Sequence, residues 1–498
     1  MERENKKRIK AELSNEQNHL FSFVFPVDLQ ASTNFFNELL KRFKLLKLDI
    51  DKKKHALFAI TKSRIVLLGT FLLLLSAATF MFYLQPNFES FHEVRTGSSI
   101  GKFFFGLTLA VIVFKFSFFL YSLYLYNAYK AIPSVDDDSL PTCTVIVPAY
   151  NEGELVWHTL ISLANSDYPI EKLELLAIDD GSKDDTWQWM LRAKASLGDR
   201  LTIFQQPKNM GKRQALHRGF LLGKGEIFIT VDSDSIVKKD TLRNLVSPLV
   251  LHPNCGAVAG NVKVLNNSNA LIPKMLNVSF VFSFEFVRSV ESRFGSVLCT
   301  PGALAAYKKE AVFNCLPQWM EQKFMGKKSD IGEDRAMTNM ILKQGYKVLF
   351  QKNAEVLTNV PETYKGLYKM FIRWGRSNVR ENLSMFSYVF QDFRNDSKFG
   401  IRLLFADQMI KMIMTYPAIL FLIYFIISQP LLFITATLFS ILVLSSVQVI
   451  FYAKKYSVKE SFWAYSYSLL FAFGLFWITP YAIATAGKSG WLTREISN

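Results

Sequence analysis

Apolar residues are spread unevenly along this chain. Residues 65–84 and 103–126 form two apolar stretches near the front, and 410–427, 431–452 and 462–486 form three more towards the end. Each of the five predicts a helix that, at ~1.5 Å per residue, is long enough to reach across a bilayer core. Between the two groups the period shortens. From 141 to about 359, brief β-branched runs alternate with amphipathic ones. The runs at 143–147, 173–178, 201–204 and 227–231 predict strands; 154–164, 184–196 and 211–222 predict helices. Such alternation predicts a mostly parallel, Rossmann-like α/β sheet with helices on both faces. Ligands of such sheets bind beyond the carboxyl ends of the strands.

The flanks carry charge in a pattern that orients the spans. Residues 1–63 are basic, with clusters at Lys6-Lys7-Arg8, Lys41-Arg42 and Lys52-Lys53-Lys54. Between these clusters Phe35, Phe36, Leu39, Leu40, Phe43, Leu45 and Leu46 recur at helical spacing. This predicts an amphipathic helix, lying either on an anionic leaflet or against the soluble domain. The loop 85–102 is nearly free of Lys and Arg, which places it outside and residues 1–63 and 130 onward inside. Lys115, within a span, is expected to face protein or a polar path, or to snorkel. Residues 364–399 are basic and aromatic, as helices at a membrane interface are. Asp407 and Lys411 stand one helical turn apart and are expected to pair.

Composition agrees with two parts. Of 498 residues, 50% are hydrophobic and 20% charged, too apolar for a soluble protein and too charged for a bare membrane bundle. The net charge of +16 fits basic loops held on the cytosolic face of a membrane better than nucleic-acid binding, so no nucleic-acid partner is expected. The four cysteines (Cys143, Cys255, Cys299 and Cys315) have no metal-ligand spacing and read as buried thiols in a reducing compartment. Residues 1–10 are polar with no apolar run behind them, so no cleavable signal peptide is expected.

The chemistry collects at the strand ends. The first strand runs into Tyr150-Asn151-Glu152, the second into Asp179-Asp180-Gly181, and the fourth into Asp232-Ser233-Asp234. On an extended backbone Asp232 and Asp234 point to one side and suit a Mg²⁺ or Mn²⁺ ion bound with a diphosphate. Three such endings on one edge point to a nucleoside diphosphate site. Lys212-Arg213, opening a helix, suits phosphate. Glu333-Asp334, opening another helix at 335–343, is either a cap or a source of a general base. Arg373-Trp374 offers a guanidinium for a departing diphosphate and an indole for a sugar face, or else a membrane-interface anchor. Trp491 and Arg494 invite the same two readings.

With these residues in order, the chain resembles membrane-embedded family 2 glycosyltransferases over 65–494, most of all hyaluronan synthases. It is also similar to chitin, cellulose and alginate synthase catalytic subunits. The resemblance implies a cytosolic GT-A-type domain (140–362) inserted between a transmembrane hairpin (64–128) and a second one (401–453). An Arg-Trp interfacial segment (363–400) and a C-terminal interfacial or gating segment (459–498) complete it, behind the 1–63 extension. It implies an inverting, processive enzyme of a cell membrane that takes UDP-sugar donors and a growing polysaccharide acceptor. Tyr150, Asn151, Glu152, Asp180, Lys212 and Asp232 would serve the nucleotide, with Trp491 and Arg494 in a gate over it. Asp232 and Asp234 would hold Mg²⁺ or Mn²⁺. Asp334 would be the base and Arg373 would serve the diphosphate. Trp374, Thr300, Pro301, Gly302 and Glu333 would line the acceptor side. The family's Q-x-x-R-W has Met370 at the Gln position, its S-G-P is Thr300-Pro301-Gly302, and the Gly of W-G-T-R is Leu492. A gate over the nucleotide requires a cytosolic C-terminus. The expectation is therefore four spans, with 462–486 interfacial or re-entrant and bent near Pro480; hydropathy alone gives five.

Overall fold

A computed structural model describes residues 61–62 and 64–488. The basic extension at 1–60, its amphipathic pattern, Trp491 and Arg494 lie outside the described residues. From Val66 onward the described chain forms one compact unit.

The strands are β1 (Cys143–Ala149), β2 (Leu173–Asp179), β3 (Leu201–Gln205), β4 (Ile227–Thr230), β5 (Ser235–Val237), β6 (Cys255–Val264), β7 (Ala305–Lys308), β8 (Lys323–Phe324), β9 (Lys327–Lys328) and β10 (Lys347–Thr358). All but β8 and β9, which pair as a hairpin, join one sheet in the order β3-β2-β1-β4-β7-β6-β10-β5. The four strands expected from the sequence form its parallel half. The other half is mixed: β7 runs antiparallel to β4 and β6, and β5 antiparallel to β10.

β1 is buried along its whole length, as a central strand of a covered sheet must be. Its period-2 alternation splits the interior. Val145 and Val147 face a core with the helices Leu155–Ala164, Thr186–Leu197 and Thr241–Leu251, while Ile146 faces the core under Lys212–Leu222 and Glu333–Lys343. Glu333–Lys343 begins two residues earlier than its hydrophobic period suggested.

Among the described residues four helices are long and apolar enough to cross a membrane: Arg64–Tyr83, Ser99–Ala128, Phe399–Ser428 and Pro430–Lys455. The segment expected as the outer loop is instead largely a helix, Gln85–Thr96. The last apolar stretch is a broken pair, Val458–Leu475 and Ile478–Ala484, bent by 48°. The break comes at Phe476-Trp477 rather than at Pro480. A proline ring collides with the carbonyl four residues back, which here is Phe476. Leu475 and Ile478 pack into the same core as Leu367, Met370 and Ile372 of the helix Tyr364–Met385.

Lys115 finds protein: its ammonium lies 2.5 Å from Asp407 on Phe399–Ser428, and Lys411 pairs with the same carboxylate at 2.7 Å. One buried carboxylate between two lysines lowers the cost of all three within apolar surroundings.

Candidate active site

Sheet topology brings the chemistry to one edge. Ala149 pairs with Asp179 and Asp179 with Gln205. Because β7 runs backwards, Ala305 lies opposite Thr230. The segment entering β7, Thr300-Pro301-Gly302, therefore arrives where β4 ends.

Tyr150-Asn151-Glu152 docks on the turn after β2. Asn151 N donates to Ser182 Oγ (2.9 Å), Lys183 N donates to Asn151 Oδ1 (2.8 Å), and Glu152 N donates to Thr186 Oγ1 (2.8 Å). Asp180 is buried, and its oxygens accept from Gln206 Nε2 (2.7 Å), Met210 N (2.8 Å) and Gly211 N (2.8 Å). Asp180, expected to serve a nucleotide, is thus already engaged in shaping the 206–211 loop. That loop passes directly over Gly181, whose φ is +71°; a β-carbon there would stand 2.5 Å from the Lys208 carbonyl carbon. Gly181→Ala is expected to cost about 1–3 kcal/mol of stability from the left-handed backbone alone and, by displacing the loop, to disturb the site at which UDP is expected from the sequence. Thermal unfolding and UDP titration check this; an unchanged pair of values refutes it.

Asp232 and Asp234 do not sit on extended backbone. β4 stops at Thr230, and Ser235 N donates to Asp232 O (3.1 Å), closing a turn that leads into β5. Asp232 forms an ion pair with Lys212. Asp234 accepts from Thr358 Oγ1 at 3.1 Å.

Lys212 binds both sides of the cleft, with Glu333 Oε1 3.5 Å from its ammonium. Burial pulls its pKa down, but Asp232 and Glu333 outweigh that and hold it above the usual lysine value. Glu333 and Asp334 open their helix behind Gly332, which has φ +74°. A β-carbon on Gly332 would fall 1.9 Å from Ser377 Oγ, so this glycine lets the Asp334 helix meet the Arg-Trp helix. Asp334 accepts from Gly302 N (3.2 Å) and Arg335 N (2.7 Å). Burial first, then the Glu333 carboxylate, raise its pKa above the normal aspartate value against the pull of Lys212. Thr300 is fully buried and bonds Thr338 on the same helix and Tyr307. A β-carbon on Gly302 would lie 2.7 Å from Lys212 Nζ and 3.6 Å from Asp232 Oδ1. Asp232, Lys212, Gly302, Glu333 and Asp334 thus form one cluster, with a pocket lined by Thr230, Tyr307, Trp319 and Met337 behind it.

Arg213, expected with Lys212 to suit phosphate, turns away from it instead: its guanidinium lies over Trp319, a residue that carried no sequence signal, and donates to the Trp319 carbonyl. Trp319 Nε1 in turn donates to the Glu333 carbonyl at 2.9 Å, fixing the start of the Asp334 helix. Cys299 keeps its thiol enclosed although the residue as a whole is part-exposed, and its Sγ lies 3.8 Å from Asp334 Oδ2. Burial pushes this thiol up to about 12, so it stays protonated.

Trp374 is 38% exposed and rests against Phe280 and Phe371. Met370, at the position of the family's Gln, is a buried core residue packed with Leu475 and Ile478. Further along the same helix, Arg376 donates to Thr485 Oγ1 (3.0 Å), and Arg380 to the carbonyls of Ala486 and Lys488 (2.7 Å each).

Among the described residues no group of three His, Cys, Asp or Glu could enclose a metal ion. Asp232 and Asp234, expected to hold Mg²⁺ or Mn²⁺ as a pair together with diphosphate oxygens, are engaged here by Lys212 and Thr358.

Residues 141–377 match the family described as "Glycosyltransferase like family 2". With the mixed sheet above, this makes the segment a glycosyltransferase domain of the GT-A fold. The chain is similar to the N-acetylglucosaminyltransferase of Rhizobium meliloti (strain 1021), 34% identical over 252 residues, which are 50% of this chain and 59% of the relative. It is also similar to the N-acetylglucosaminyltransferase of Rhizobium leguminosarum bv. viciae, 32% identical over 250 residues, 50% of this chain and 58% of the relative. It thus spans under two thirds of either relative. Among solved structures it is similar to the mannosyltransferase PcManGT from Pyrobaculum calidifontis in complex with GDP-Man and Mn²⁺, at 22% identity and a TM-score of 0.47, covering 75% of this chain and 96% of that one.

Proposed function

We propose that this chain is an inverting, processive membrane glycosyltransferase. It polymerises a β-linked sugar chain from UDP-sugar donors on the cytosolic face and passes the product through its own spans. The observation that carries the reading is the position of Asp334 across Gly302 from the Lys212–Asp232 pair. A proton acceptor and an ammonium group for the diphosphate stand on either side of one glycine, whose lack of a side chain lets the two approach each other.

In this reading Asp334 takes the proton of the acceptor hydroxyl. The hydroxyl oxygen attacks the anomeric carbon from the face opposite UDP, the bond from that carbon to the UDP oxygen breaks, and an α-linked donor gives a β-linkage. Lys212 and Arg373 receive the charge on the leaving diphosphate. Asp232 and Asp234 would hold a divalent cation, which when bound would supply Lewis-acid neutralisation of the charge on the leaving group. Trp374 gives the acceptor sugar an exposed aromatic face. Burial of Met370 makes the departure from Q-x-x-R-W a packing change rather than a lost contact in the cleft. The four long apolar helices support a membrane location, and the names of the relatives make UDP-N-acetylglucosamine the first donor to offer.

The test is purified full-length chain in lipid, offered single and paired UDP-sugars, with UDP release measured and products digested by linkage-specific hydrolases. A ladder of β-linked products is expected. EDTA should stop UDP release, and Mg²⁺ or Mn²⁺ should restore it. Single additions refute processivity, and metal-independent turnover refutes the role of Asp232 and Asp234.

A further inference from the structure

Outside the cluster around Asp232 and Asp334, Glu285 lies in the π-helical segment Val281–Val287 and is 1% exposed. Lys263 on β6 and the Tyr456 hydroxyl bond its carboxylate, Lys455 donates to it at 2.8 Å, and Lys352 on β10 lies 3.8 Å away. The only other carboxylate in this network, among the described residues, is Glu355, 4.0 Å from Lys263 and already paired with Lys238. Four ammonium groups therefore face two carboxylates. One lysine would suffice to neutralise Glu285; the rest crowd like charges together, an arrangement that costs free energy unless an anion joins it. The crowding is felt locally: burial and the Lys455 ammonium push Lys352 down to about 8.

The position says which anion. Lys455 ends the apolar helix Pro430–Lys455, and Tyr126 stands in the last turn of Ser99–Ala128. The Lys455 ammonium lies 4.5 Å from the Phe451 ring and 5.0 Å from that of Tyr126, and Lys352 lies 5.9 Å from Tyr126. Lys352 and Lys455 are part-exposed, with 35% and 26% of their side chains reaching the surface, while Glu285 is sealed beneath them. A half-open pair of cations on an aromatic floor, where two spans end against the soluble domain, stands at headgroup depth.

We propose that Lys352 and Lys455, backed by Lys263, form a binding site for a phosphate-class anion, supplied in the membrane by the phosphodiester headgroup of an anionic phospholipid. The cations take the headgroup oxygens, and the acyl chains run along the apolar faces of the two spans. The site is separate from the catalytic cleft and does not depend on which sugar is transferred.

Native mass spectrometry of the full-length chain in neutral detergent tests it, with phosphatidylglycerol, phosphatidylcholine or inorganic phosphate added. The wild type should retain phosphatidylglycerol in preference to phosphatidylcholine. The double variant Lys352→Gln/Lys455→Gln should lose that retention about tenfold. Exchange of the exposed hairpin lysines, Lys323→Gln/Lys327→Gln, should not change it. Where the double variant fails to fold, Lys352→Gln alone serves, since it leaves Lys263 and Lys455 on Glu285. Displacement of phosphatidylglycerol by millimolar inorganic phosphate would keep the anion site but overturn its lipid source. Equal retention of the two lipids, or retention indifferent to Lys352 and Lys455, overturns the site itself.

Discussion

Asp334→Asn is expected to lower the turnover of sugar transfer about a thousandfold, within the range that loss of a general base produces, while UDP still binds. Asparagine keeps the shape and can still accept from Gly302 N, as Asp334 Oδ2 does at 3.2 Å, so the cleft should persist. What goes is the ability to take a proton. The wild-type pH profile gives a second readout. Burial and Glu333 raise the Asp334 pKa above its ordinary 3.8, so the base is lost to protonation at a higher pH than a solvent carboxylate would be. The acid limb of kcat/KM should accordingly lie above that value, with the rate falling as pH drops through it. Near-normal polymer yield from the Asn variant would remove Asp334 from the role.

Arg380→Ala should be the next most damaging change. The buried guanidinium holds the Ala486 and Lys488 carbonyls and Ser329 Oγ, the last at 3.0 Å. Alanine leaves two buried acceptors, the Ala486 carbonyl and Ser329 Oγ, without their donor, at about 1–3 kcal/mol for each one left unsatisfied, and frees the part-buried Lys488 carbonyl. Arg380 fixes the chain immediately before 489–494. If Trp491 and Arg494 serve the nucleotide as the family resemblance implies, release of that anchor raises the KM for the UDP-sugar about tenfold, the equivalent of ~1.4 kcal/mol. Thermal unfolding and initial rates across donor concentrations separate the two effects. A stable variant with unaltered KM would mean that the anchor does not organise the nucleotide site. Arg380→Lys should recover only part of the loss, because a single ammonium cannot span three acceptors in a fixed fork.

Local pattern carried most of what was legible beforehand. β1 to β4 and the three helices between them follow from short β-branched runs alternating with amphipathic ones, and each lies within about two residues of its expected place. The long apolar helices were readable for the same reason: twenty apolar residues in a row have few other fates. The mixed half of the sheet was not readable, because β7 is only four residues long and its direction is set by its partners, not its composition. The break at Phe476-Trp477 was displaced from Pro480 because the ring acts on the carbonyl one turn earlier.

By itself, then, the sequence determined which groups were available: carboxylates at strand ends, a lysine and an arginine opening one helix, an acidic pair opening another. Residue type and spacing encode those. Only the tertiary structure decided their employment. Asp180 was turned inward to build a loop, and Lys212 was sent to Asp232 while Arg213 was sent to Trp319. The reversed β7 delivered Gly302 between Asp232 and Asp334. A carboxylate's partners are fixed by which chain segments cross the same few ångströms, and in the cleft those segments lie as much as 124 residues apart.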